Sequence, residues 1–506
     1  MGHSGLLGSR GTQGTGSVIA IDIGSSSVRA IGYDARARVV PGLEIHRPYA
    51  LRTDAMGAME VDADALVDLV ALCLDDVSAR LDRAGVTPLA VACCTFWHSL
   101  IGVDPSGRAC TPVYTWADTR SASVVPHLRR LFDEEAVHQR TGARFHSSYL
   151  PAKLLWLREA CPDLFVRSLY WMSLGEYLYL RLFEERRVSI SMASGTGLFD
   201  QHTCEWDVPL LRTLQISPDT LSPVAEFTRT MTGLRGQFAG RWQRLSTVPW
   251  FLALGDGACN NIGSGAYDES SMALMIGTSG AIRVVREAAD FTVPRGLWTY
   301  HVDQRRIVQG GALSEGGNVF AWLVHTMRTT PPADFEARLA AVPPDSHGLT
   351  LLPFFAGERS PGWRPGARAV VHGLTLATDP VEFSRAALEA VALRFGLVFE
   401  LLCHVAPTAQ SIIGSGAGLT ESPTWMQIMA DVLGRPLAPS GVPEASSRGG
   451  ALLVLEALGI VSDLSHLESP IGPAFQPRAE ITRIYLRAQR RQQDLETRLS
   501  GFESTP

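Results

Sequence analysis

The sequence predicts an α/β protein made of two related lobes with a cleft between them. Short apolar runs typical of strands alternate with amphipathic helical runs along the 506 residues, as in α/β folds. A turn rich in Gly and Ser follows an apolar strand at Gly24. A turn of the same kind follows another apolar strand at Gly277, half a chain away. Such turns present backbone N–H groups and hydroxyls that suit phosphate oxygens, so we expect the lobes to hold one phosphorylated ligand between them.

The composition excludes several functional classes. The chain is 46% hydrophobic and 19% charged, with a formal net charge of −6, and no long run of one sign indicates nucleic acid as a partner. No apolar segment reaches the roughly 18 uncharged residues of a membrane span. The eight cysteines have no CxxC spacing and are typical of buried thiols in a reducing compartment. We expect a cytoplasmic enzyme that binds neither nucleic acid nor a membrane.

The chain is expected to have four parts. Residues 1–16 are rich in Gly, Ser and Thr and lack the apolar core of a signal peptide, so they are predicted to be a disordered leader. The first lobe is expected over 17–266 and the second over 267–490, with a short tail at 491–506. No low-complexity linker separates the lobes, and the connection near 267 is as short as a hinge.

In the first lobe, the predicted strands are apolar runs at 18–23, 28–34, 39–40 and 89–95. Apolar residues at helical spacing predict a helix from Asp64 to about Arg83, with Asp64 capping its start and Gly85 its end. The second lobe repeats this pattern. Its predicted strands are 272–276, 281–285, 306–309 and 411–413, and its predicted helices are 314–328, 381–404, 422–433, 446–459 and 478–498.

Two carboxylates adjoin glycines that follow predicted strands. Asp22 precedes the first turn and is placed to hold Mg2+, directly or through water, beside a phosphate, although an aspartate that only caps the turn would have the same position. Asp256 lies between Gly255 and Gly257, which permit close approach of a substrate, and its carboxylate can accept a hydroxyl proton. On its own, Gly-Asp-Gly is also an ordinary turn. Phosphoryl transfer needs little more than one base, Mg2+ and phosphate donors.

An aromatic cluster follows the strand that ends at Thr95. Ligands of α/β proteins bind beyond the carboxyl ends of the strands, where the pair Trp97 and His98 can stack on a polyol and hydrogen-bond to it. A lone histidine is more often a packing residue, but the nearby Trp-Ala-Asp-Thr-Arg segment at 116–120 favours ligand contact. A glycine-rich loop at 414–418 suits a nucleotide, although its spacing is not that of a Walker P-loop. A Rossmann dehydrogenase is disfavoured.

In this order, the segments resemble the FGGY family of carbohydrate kinases, within the actin-like ATPase superfamily. The likeness extends over about 17–490. It implies two actin-like ATPase (ribonuclease H-like) lobes, with the sugar bound in the first, the nucleotide in the second and Asp256 as the catalytic base. The similar motifs are the first phosphate motif at 22–27, the second at 277–280, a Trp-x-Asp-x-Arg segment at 116–120, a signature at 357–374, and an adenosine motif with Gly416, Gly418, Ser422 and Trp425.

The resemblance also implies the ligands and the residues that bind them. ATP and Mg2+ are the expected cofactors, with Asp22 at the metal. A small sugar or sugar acid is the expected partner, and the assembly expected, if there is one, is a homodimer. The implied substrate-binding residues are Trp97, His98, Trp116, Asp118, Arg120, His146, Lys153 and Asp256. The implied nucleotide-binding residues are Gly24, Ser25, Ser26, Ser27, Gly277, Thr278, Ser279, Gly311, Gly416, Ala417, Gly418 and Ser422.

Within the family, the sequence is most similar to gluconokinases. The segments that carry this likeness are 97–101, 115–118, His146, 151–157 and 191–199. Trp97 departs from it by replacing a smaller Met. The donor or positive groups that suit a carboxylate substrate are His98, Arg120, His146 and Lys153. Lys153 is equally typical of a solvated lysine at the start of a helix.

We therefore expect ATP-dependent phosphorylation of a terminal hydroxyl, with gluconate converted to 6-phosphogluconate. The alternatives are a xylulokinase or another pentulose or polyol kinase, a non-catalytic sugar and nucleotide sensor, and an actin-like or chaperone-type ATPase. The carboxylate at Asp256 argues against the sensor, and the aromatic cluster of the first lobe argues against the ATPase.

Overall fold

The computed structural model of the protein describes residues 16–326 and 333–500. Apart from Gly16, the predicted leader lies outside these residues, as do the last six residues of the predicted tail. The strands gather in two large mixed sheets with helices packed on them, so the predicted two-lobed α/β fold is confirmed. None of the described helices has the length and apolar character needed to cross a membrane.

The first sheet has five strands, which in spatial order are Leu254–Gly255, Thr87–Thr95, Gly16–Ile23, Ser27–Tyr33 and Val39–Pro48. The last three run antiparallel in succession, as predicted. The first three are parallel, and the register pairs Ile23 with Thr95 and Thr95 with Gly255. The carboxyl ends of these three strands therefore meet at one edge of the sheet.

The second sheet has six strands, which in spatial order are Trp298–His301, Arg306–Leu313, Gly280–Glu287, Ser271–Ile276, Ser411–Ser415 and Leu437–Pro439. The strand Ser271–Ile276 pairs antiparallel with the next strand in sequence and parallel with Ser411–Ser415. In the first sheet, Gly16–Ile23 has the same two kinds of neighbour. The two sheets therefore share one strand plan.

The helices surround these sheets. They are Ala63–Ala84, Val125–Leu131, Glu134–Thr141, Leu150–Ala160, Pro162–Arg167, Leu174–Phe183, Ile190–Ser194, Val208–Thr213, Gly236–Arg241, Asp256–Ser264, Gly317–Thr326, Phe335–Ala341, Pro380–Val405, Ala417–Thr420, Pro423–Leu433, Ala445–Ala457 and Ala479–Ser500. The short strands outside the two sheets are Arg52–Thr53, Met59–Val61, Ile101–Val103, Val113–Tyr114, Tyr170–Met172, Val188–Ser189, Phe199–Asp200, Glu205–Trp206, Val224–Ala225, Thr350–Leu352 and Val370–His372.

The first long helix begins at Ala63, slightly earlier than predicted. Asp62, not Asp64, is its N-cap, because the Asp62 carboxylate accepts a hydrogen bond from the Ala65 N–H at 2.8 Å. Asp64 instead accepts a hydrogen bond from the Tyr177 hydroxyl at 2.7 Å. Gly85 ends the helix in the left-handed conformation, as predicted.

The helix Ala445–Ala457 follows the second sheet in sequence but packs on the first lobe. Its buried residues, Leu452 among them, belong to the hydrophobic core beneath the first sheet. It also crosses the helix Asp256–Ser264 so closely that a Cβ at Gly449 would lie 1.8 Å from the Cys259 carbonyl oxygen. The range 267–490 therefore contributes to both lobes.

The last helix, Ala479–Ser500, packs on the second lobe. Tyr485 and Ala488 lie in the core of that lobe, and Leu495 packs against a smaller buried cluster. The tail predicted to start at 491 therefore begins inside this helix, because its apolar residues continue to find a buried surface up to the last turn.

Candidate active site

Three segments meet at the carboxyl edge of the first sheet, because the strands that carry them are parallel neighbours. They are the first turn at 24–27, the aromatic segment at 96–99, and Asp256 at the start of its helix. The first turn is closed by a hydrogen bond from the Gly24 N–H to the Ser27 carbonyl at 3.0 Å. This edge is where α/β proteins bind ligands.

A cavity of about 300 Å³, here called the cleft cavity, lies between this edge and the second sheet. From the first lobe it is lined by Ser25, Trp97, His98, Trp116, Asp256 and Gly257. From the second half of the chain it is lined by Met275, Gly277, Thr278, Ser279, Gly280, Ala281, Arg283, Trp298, Tyr300, Ala312 and Arg359. Ser25 of the first turn, the second turn, the predicted base and the aromatic cluster are thus brought to one cavity. Asp22, Gly24, Ser26 and Ser27 lie outside its lining.

Asp256 reaches the cleft cavity from the first position of the helix Asp256–Ser264. The Gly257 N–H donates to its carboxylate at 2.8 Å, and its side chain remains half-buried. Burial raises the pKa of Asp256, and the nearby Arg283 guanidinium lowers it. A carboxylate of this kind can accept a proton from a hydroxyl bound in the cavity.

Asp22 lies almost fully buried on the strand Gly16–Ile23. Its carboxylate accepts hydrogen bonds from Arg29 Nη1 at 3.2 Å and from Cys94 Sγ at 3.3 Å. Both partners are on neighbouring strands, so Asp22 is held by the sheet. Burial raises the pKa of Asp22 to about 6, Arg29 opposes the rise, and the negative charge of Asp256 adds to it. The two carboxylates are therefore close enough to affect each other.

A divalent cation suits Asp22, because it would offset the cost of an ionised buried carboxylate. In the described parts of the chain, the one cluster of three potential metal-ligating side chains is elsewhere, at Asp345, His347 and Glu389. An ion at Asp22 would therefore take most of its ligands from phosphate oxygens and water, as Mg2+ commonly does.

His98 faces the cleft cavity as a neutral hydrogen-bond acceptor. Its Nδ1 donates to the Gly195 carbonyl, which leaves Nε2 with a lone pair. Burial lowers the pKa of His98 well below its ordinary value, and the positive charge of Arg359 lowers it further. His98 therefore suits a sugar hydroxyl better than the carboxylate for which a positive group was expected. Beside it, the Trp97 ring packs edge-on against Tyr300, with 5.0 Å between centroids.

The Trp-x-Asp-x-Arg segment contributes only its tryptophan to the cleft cavity. Trp116 lines the cavity, whereas Asp118 and Arg120 do not. Arg120 forms ion pairs with Asp118 and with the buried Glu60. Because these charges neutralise one another, Asp118 and Arg120 anchor the loop that presents Trp116. Neither of the two side chains is directed to the cavity.

His146 and Lys153 also lie outside the lining of the cleft cavity. Lys153 is 2% exposed, so the alternative of a solvated lysine is wrong. Its Nζ donates to the carbonyl of His98 at 3.1 Å and to that of Ser148. Burial lowers the pKa of Lys153 to about 7 and that of His146 to about 3. Lys153 thus supports the backbone that carries His98.

The second turn borders the cleft cavity opposite Ser25. Its Gly277, Thr278 and Ser279 line the cavity, and the Gly277 N–H donates to the Ser279 carbonyl at 2.9 Å. The Gly317 N–H donates to the Gly277 carbonyl at 2.8 Å. The start of the helix Gly317–Thr326 is therefore bound directly to this turn.

A second cavity, of about 290 Å³, lies on the Gly317 side of this hydrogen bond. It is lined by Gly317, Phe320, Phe335, Glu336, Leu339, Leu388, Ala417, Gly418, Glu421, Ser422 and Trp425. Its apolar and aromatic walls with glycine backbone suit an adenine ring. Ala417, Gly418 and Ser422 lie where the sequence predicted a nucleotide. The Ser422 hydroxyl donates to Glu336 at 3.1 Å and caps the helix Pro423–Leu433.

Gly311 and Gly416 line neither cavity. Gly416 has a φ of 88°, and a Cβ there would lie 2.4 Å from the Ile276 carbonyl, so glycine lets its loop approach the strand before the second turn. A Cβ at Gly311 would lie 2.4 Å from the Val398 side chain. Gly311 is therefore closely packed inside its strand, and its contact with a nucleotide stays a prediction.

Four of the lining side chains that the sequence prediction omitted are charged or aromatic: Arg283, Trp298, Tyr300 and Arg359. Arg283 follows the second turn on its strand, and that position is the signal that would have identified it. Burial lowers the pKa of Arg283 to about 10, and Asp256 opposes this. Trp298 and Tyr300 stack on each other with 4.4 Å between ring centroids. No local motif marks these two aromatic residues.

Known proteins with similar sequences and structures are carbohydrate kinases. The gluconokinase of Bacillus subtilis is 26% identical over 473 residues, which cover 91% of this chain and 91% of that protein. The xylulose kinase of Escherichia coli is 27% identical over 429 residues, covering 83% and 85%. The crystal structure of gluconate kinase from Lactobacillus acidophilus superposes with a TM-score of 0.88 at 25% identity, covering 96% and 98%.

The match to a family covers most of the chain. Residues 17–263 match the N-terminal domain of the FGGY family of carbohydrate kinases, and residues 272–458 match its C-terminal domain. The boundary predicted near 267 lies between these two ranges. The shared two-lobed architecture confirms the actin-like ATPase fold that the motifs implied. The chain belongs to the FGGY family of carbohydrate kinases.

Proposed function

We propose that this carbohydrate kinase transfers the γ-phosphate of ATP to a terminal hydroxyl of an open-chain sugar acid, and that D-gluconate is its substrate. One observation carries the proposal: the Asp256 carboxylate lines the same cavity as Ser25 and the second turn, and the second cavity adjoins that turn. This arrangement supports neighbouring sites for the acceptor, the phosphates and the nucleoside.

In this proposal, Asp256 is the general base. It accepts the proton of the terminal hydroxyl while that oxygen bonds to the γ-phosphorus and the bond from phosphorus to the ADP oxygen breaks. Hydroxyls and N–H groups at Ser25, Thr278 and Ser279 stabilise the phosphoryl oxygens. ATP supplies the phosphoryl group, Mg2+ would offset its negative charge, and Asp22 is the side chain that would hold the metal.

The charge of the cleft cavity supports a sugar acid. The charged side chains that line it are Asp256, Arg283 and Arg359, an excess of one positive charge. The two relatives named for gluconate support the same substrate. Xylulose is the second candidate, because a xylulose kinase is also similar to this chain, at 27% identity over 429 residues. His98 Nε2 and the Trp116 ring suit the hydroxyls and carbon chain of either substrate.

A coupled assay of ADP release tests the proposal. Initial rates are measured with gluconate, xylulose, ribulose, glycerol and no acceptor, at saturating Mg2+ and ATP. We expect kcat/KM for gluconate to exceed that for each neutral acceptor by about 100-fold or more, since a site built for a charged group discriminates against ligands that lack it. A preference for xylulose would contradict the assignment of gluconate. ADP release that no acceptor stimulates would contradict a sugar kinase altogether.

A further inference from the structure

Arg359 is a buried cation that lines the cleft cavity. Its side chain is 9% exposed, and its guanidinium carbon lies 5.6 Å from the centroid of the Trp116 ring. Among the residues that the structure describes, no acidic side chain pairs with it, and its Nε is buried without a hydrogen-bond partner. A buried guanidinium in this condition is costly unless an anion binds to it.

The neighbouring acidic residue does not neutralise Arg359. Glu358 pairs with Arg364 at 2.6 Å and also with Arg394. The other arginine of the cavity, Arg283, has Asp256 as a nearby counter-charge. Within the described lining of the cleft cavity, the excess positive charge therefore belongs to Arg359.

The backbone on both sides of Arg359 is fixed. The Trp363 N–H donates to the Arg359 carbonyl at 2.6 Å, and the Ser360 N–H donates to the Ala312 carbonyl at 3.0 Å. The Trp116 ring limits the planes that the guanidinium can adopt. Its orientation toward the cavity is thus set before a ligand arrives, which reduces the entropy lost on binding.

Arg359 lies on the acceptor side of the cavity. Burial lowers the pKa of both His98 and His146, and the charge of Arg359 is the next largest cause for each. Arg359 therefore lies near His98, the side chain that suits a sugar hydroxyl. Trp116, which it covers, belongs to the first lobe.

We propose that Arg359 binds the carboxylate of the acceptor and so sets the preference for sugar acids over neutral polyols, an inference that rests on the proposed function. A guanidinium can bind a carboxylate through two parallel N–H···O hydrogen bonds. A neutral group at the same position of the acceptor would bind more weakly. The oxygens of the transferred phosphoryl group have the same chemistry, so the test must distinguish the two anions.

The test compares D-gluconate with D-gluconamide, a neutral acceptor of the same shape, in wild-type enzyme and in Arg359→Gln. We expect Arg359→Gln to lower kcat/KM for gluconate by about 30- to 1000-fold, chiefly through KM, because a buried carboxylate loses its partner. For gluconamide and for the KM of ATP, we expect changes below about 3-fold. Arg36→Gln, which removes an exposed arginine, is the control for net charge.

Three results would overturn the inference. An equal loss for both acceptors, or a raised KM for ATP, would indicate a phosphoryl or structural role. No loss of kcat/KM for either acceptor would show that another group binds the carboxylate. If Arg359→Gln does not fold, Arg359→Lys carries the same comparison, because it keeps the charge but loses the paired geometry and should retain only part of the preference. A wild-type enzyme that uses xylulose but not gluconate would instead refute the proposed substrate.

Discussion

The indole ring of Trp97 occupies the space that a side chain at Gly255 would need. A Cβ at Gly255 would lie 1.9 Å from Cε2 of Trp97, and a Cβ at Gly195 would lie 2.6 Å from its Cδ1. The φ of Gly255 is −73°, which any residue can adopt, so glycine is required there for space alone. Because Asp256 follows Gly255 directly, the size of residue 97 is coupled to the position of the base.

A double-mutant cycle measures this coupling. Gly255→Ala is expected to lower the free energy of unfolding by about 2 kcal/mol in the wild type, because the indole must shift, and by less than about 1 kcal/mol in a Trp97→Ala background. Urea unfolding of the four proteins gives both values. Gly240→Ala, in an exposed helix with open space around it, is the matched control and should be neutral or slightly stabilising. Equal costs in both backgrounds would exclude the steric coupling.

The buried carboxyl of Asp22 predicts a pH dependence of stability. Its pKa is about 6 in the folded state against an ordinary value of 3.8, so between these pH values the folded state binds more protons than the unfolded state. The free energy of unfolding of the wild type, relative to Asp22→Asn, should therefore fall by up to about 3 kcal/mol as pH rises from about 4 to about 6. Denaturant titrations at several pH values check this. A flat difference would show that the carboxyl has the same pKa in the folded and unfolded states.

Lys153 is the only lysine in the sequence, so its ionisation can be observed without assignment. In protein labelled with 13C-lysine, the single side-chain Cε signal should titrate with a pKa of about 7, against 10.5 for an ordinary lysine, because burial disfavours the charge. The unfolded state then binds more protons than the folded state from about pH 7 to about pH 10.5, and stability relative to Lys153→Met should rise over that interval. A midpoint near 10.5 would show that the ammonium is solvated.

The phosphate turns and the base are predictable from the sequence because their signals are local. A strand, a glycine and hydroxyl residues are consecutive at Gly24 and Gly277, and Asp256 is marked by its flanking glycines. The side chains of Asp118 and Arg120 have an equally local motif, but Arg120 also pairs with Glu60, which is distant in sequence. A motif indicates which residues act together, but it does not show whether a charge is already neutralised.

The rest of the site depends on how distant segments assemble. Tyr300 reaches the cavity because its strand lies at the edge of the second sheet, and Tyr149 of the first lobe meets it with 2.5 Å between hydroxyl oxygens. The apolar residues of the helix Ala445–Ala457 recur at the spacing of any buried helix. That spacing does not show that the helix packs on the first sheet. Arg359 lies in a segment that the sequence marks, but its lack of a counter-ion appears only once the cores are packed.

The rate of phosphoryl transfer in Asp256→Asn decides whether Asp256 is the base of an ATP-dependent sugar kinase. Asp256→Asn keeps the shape of the side chain but cannot accept the proton. With gluconate, Mg2+ and ATP, rapid-quench single turnovers should show phosphoryl transfer slowed by about 1000-fold or more, while the Kd for ATP changes by less than about 3-fold. Phosphoryl transfer at a near wild-type rate in Asp256→Asn would show that Asp256 is not the base.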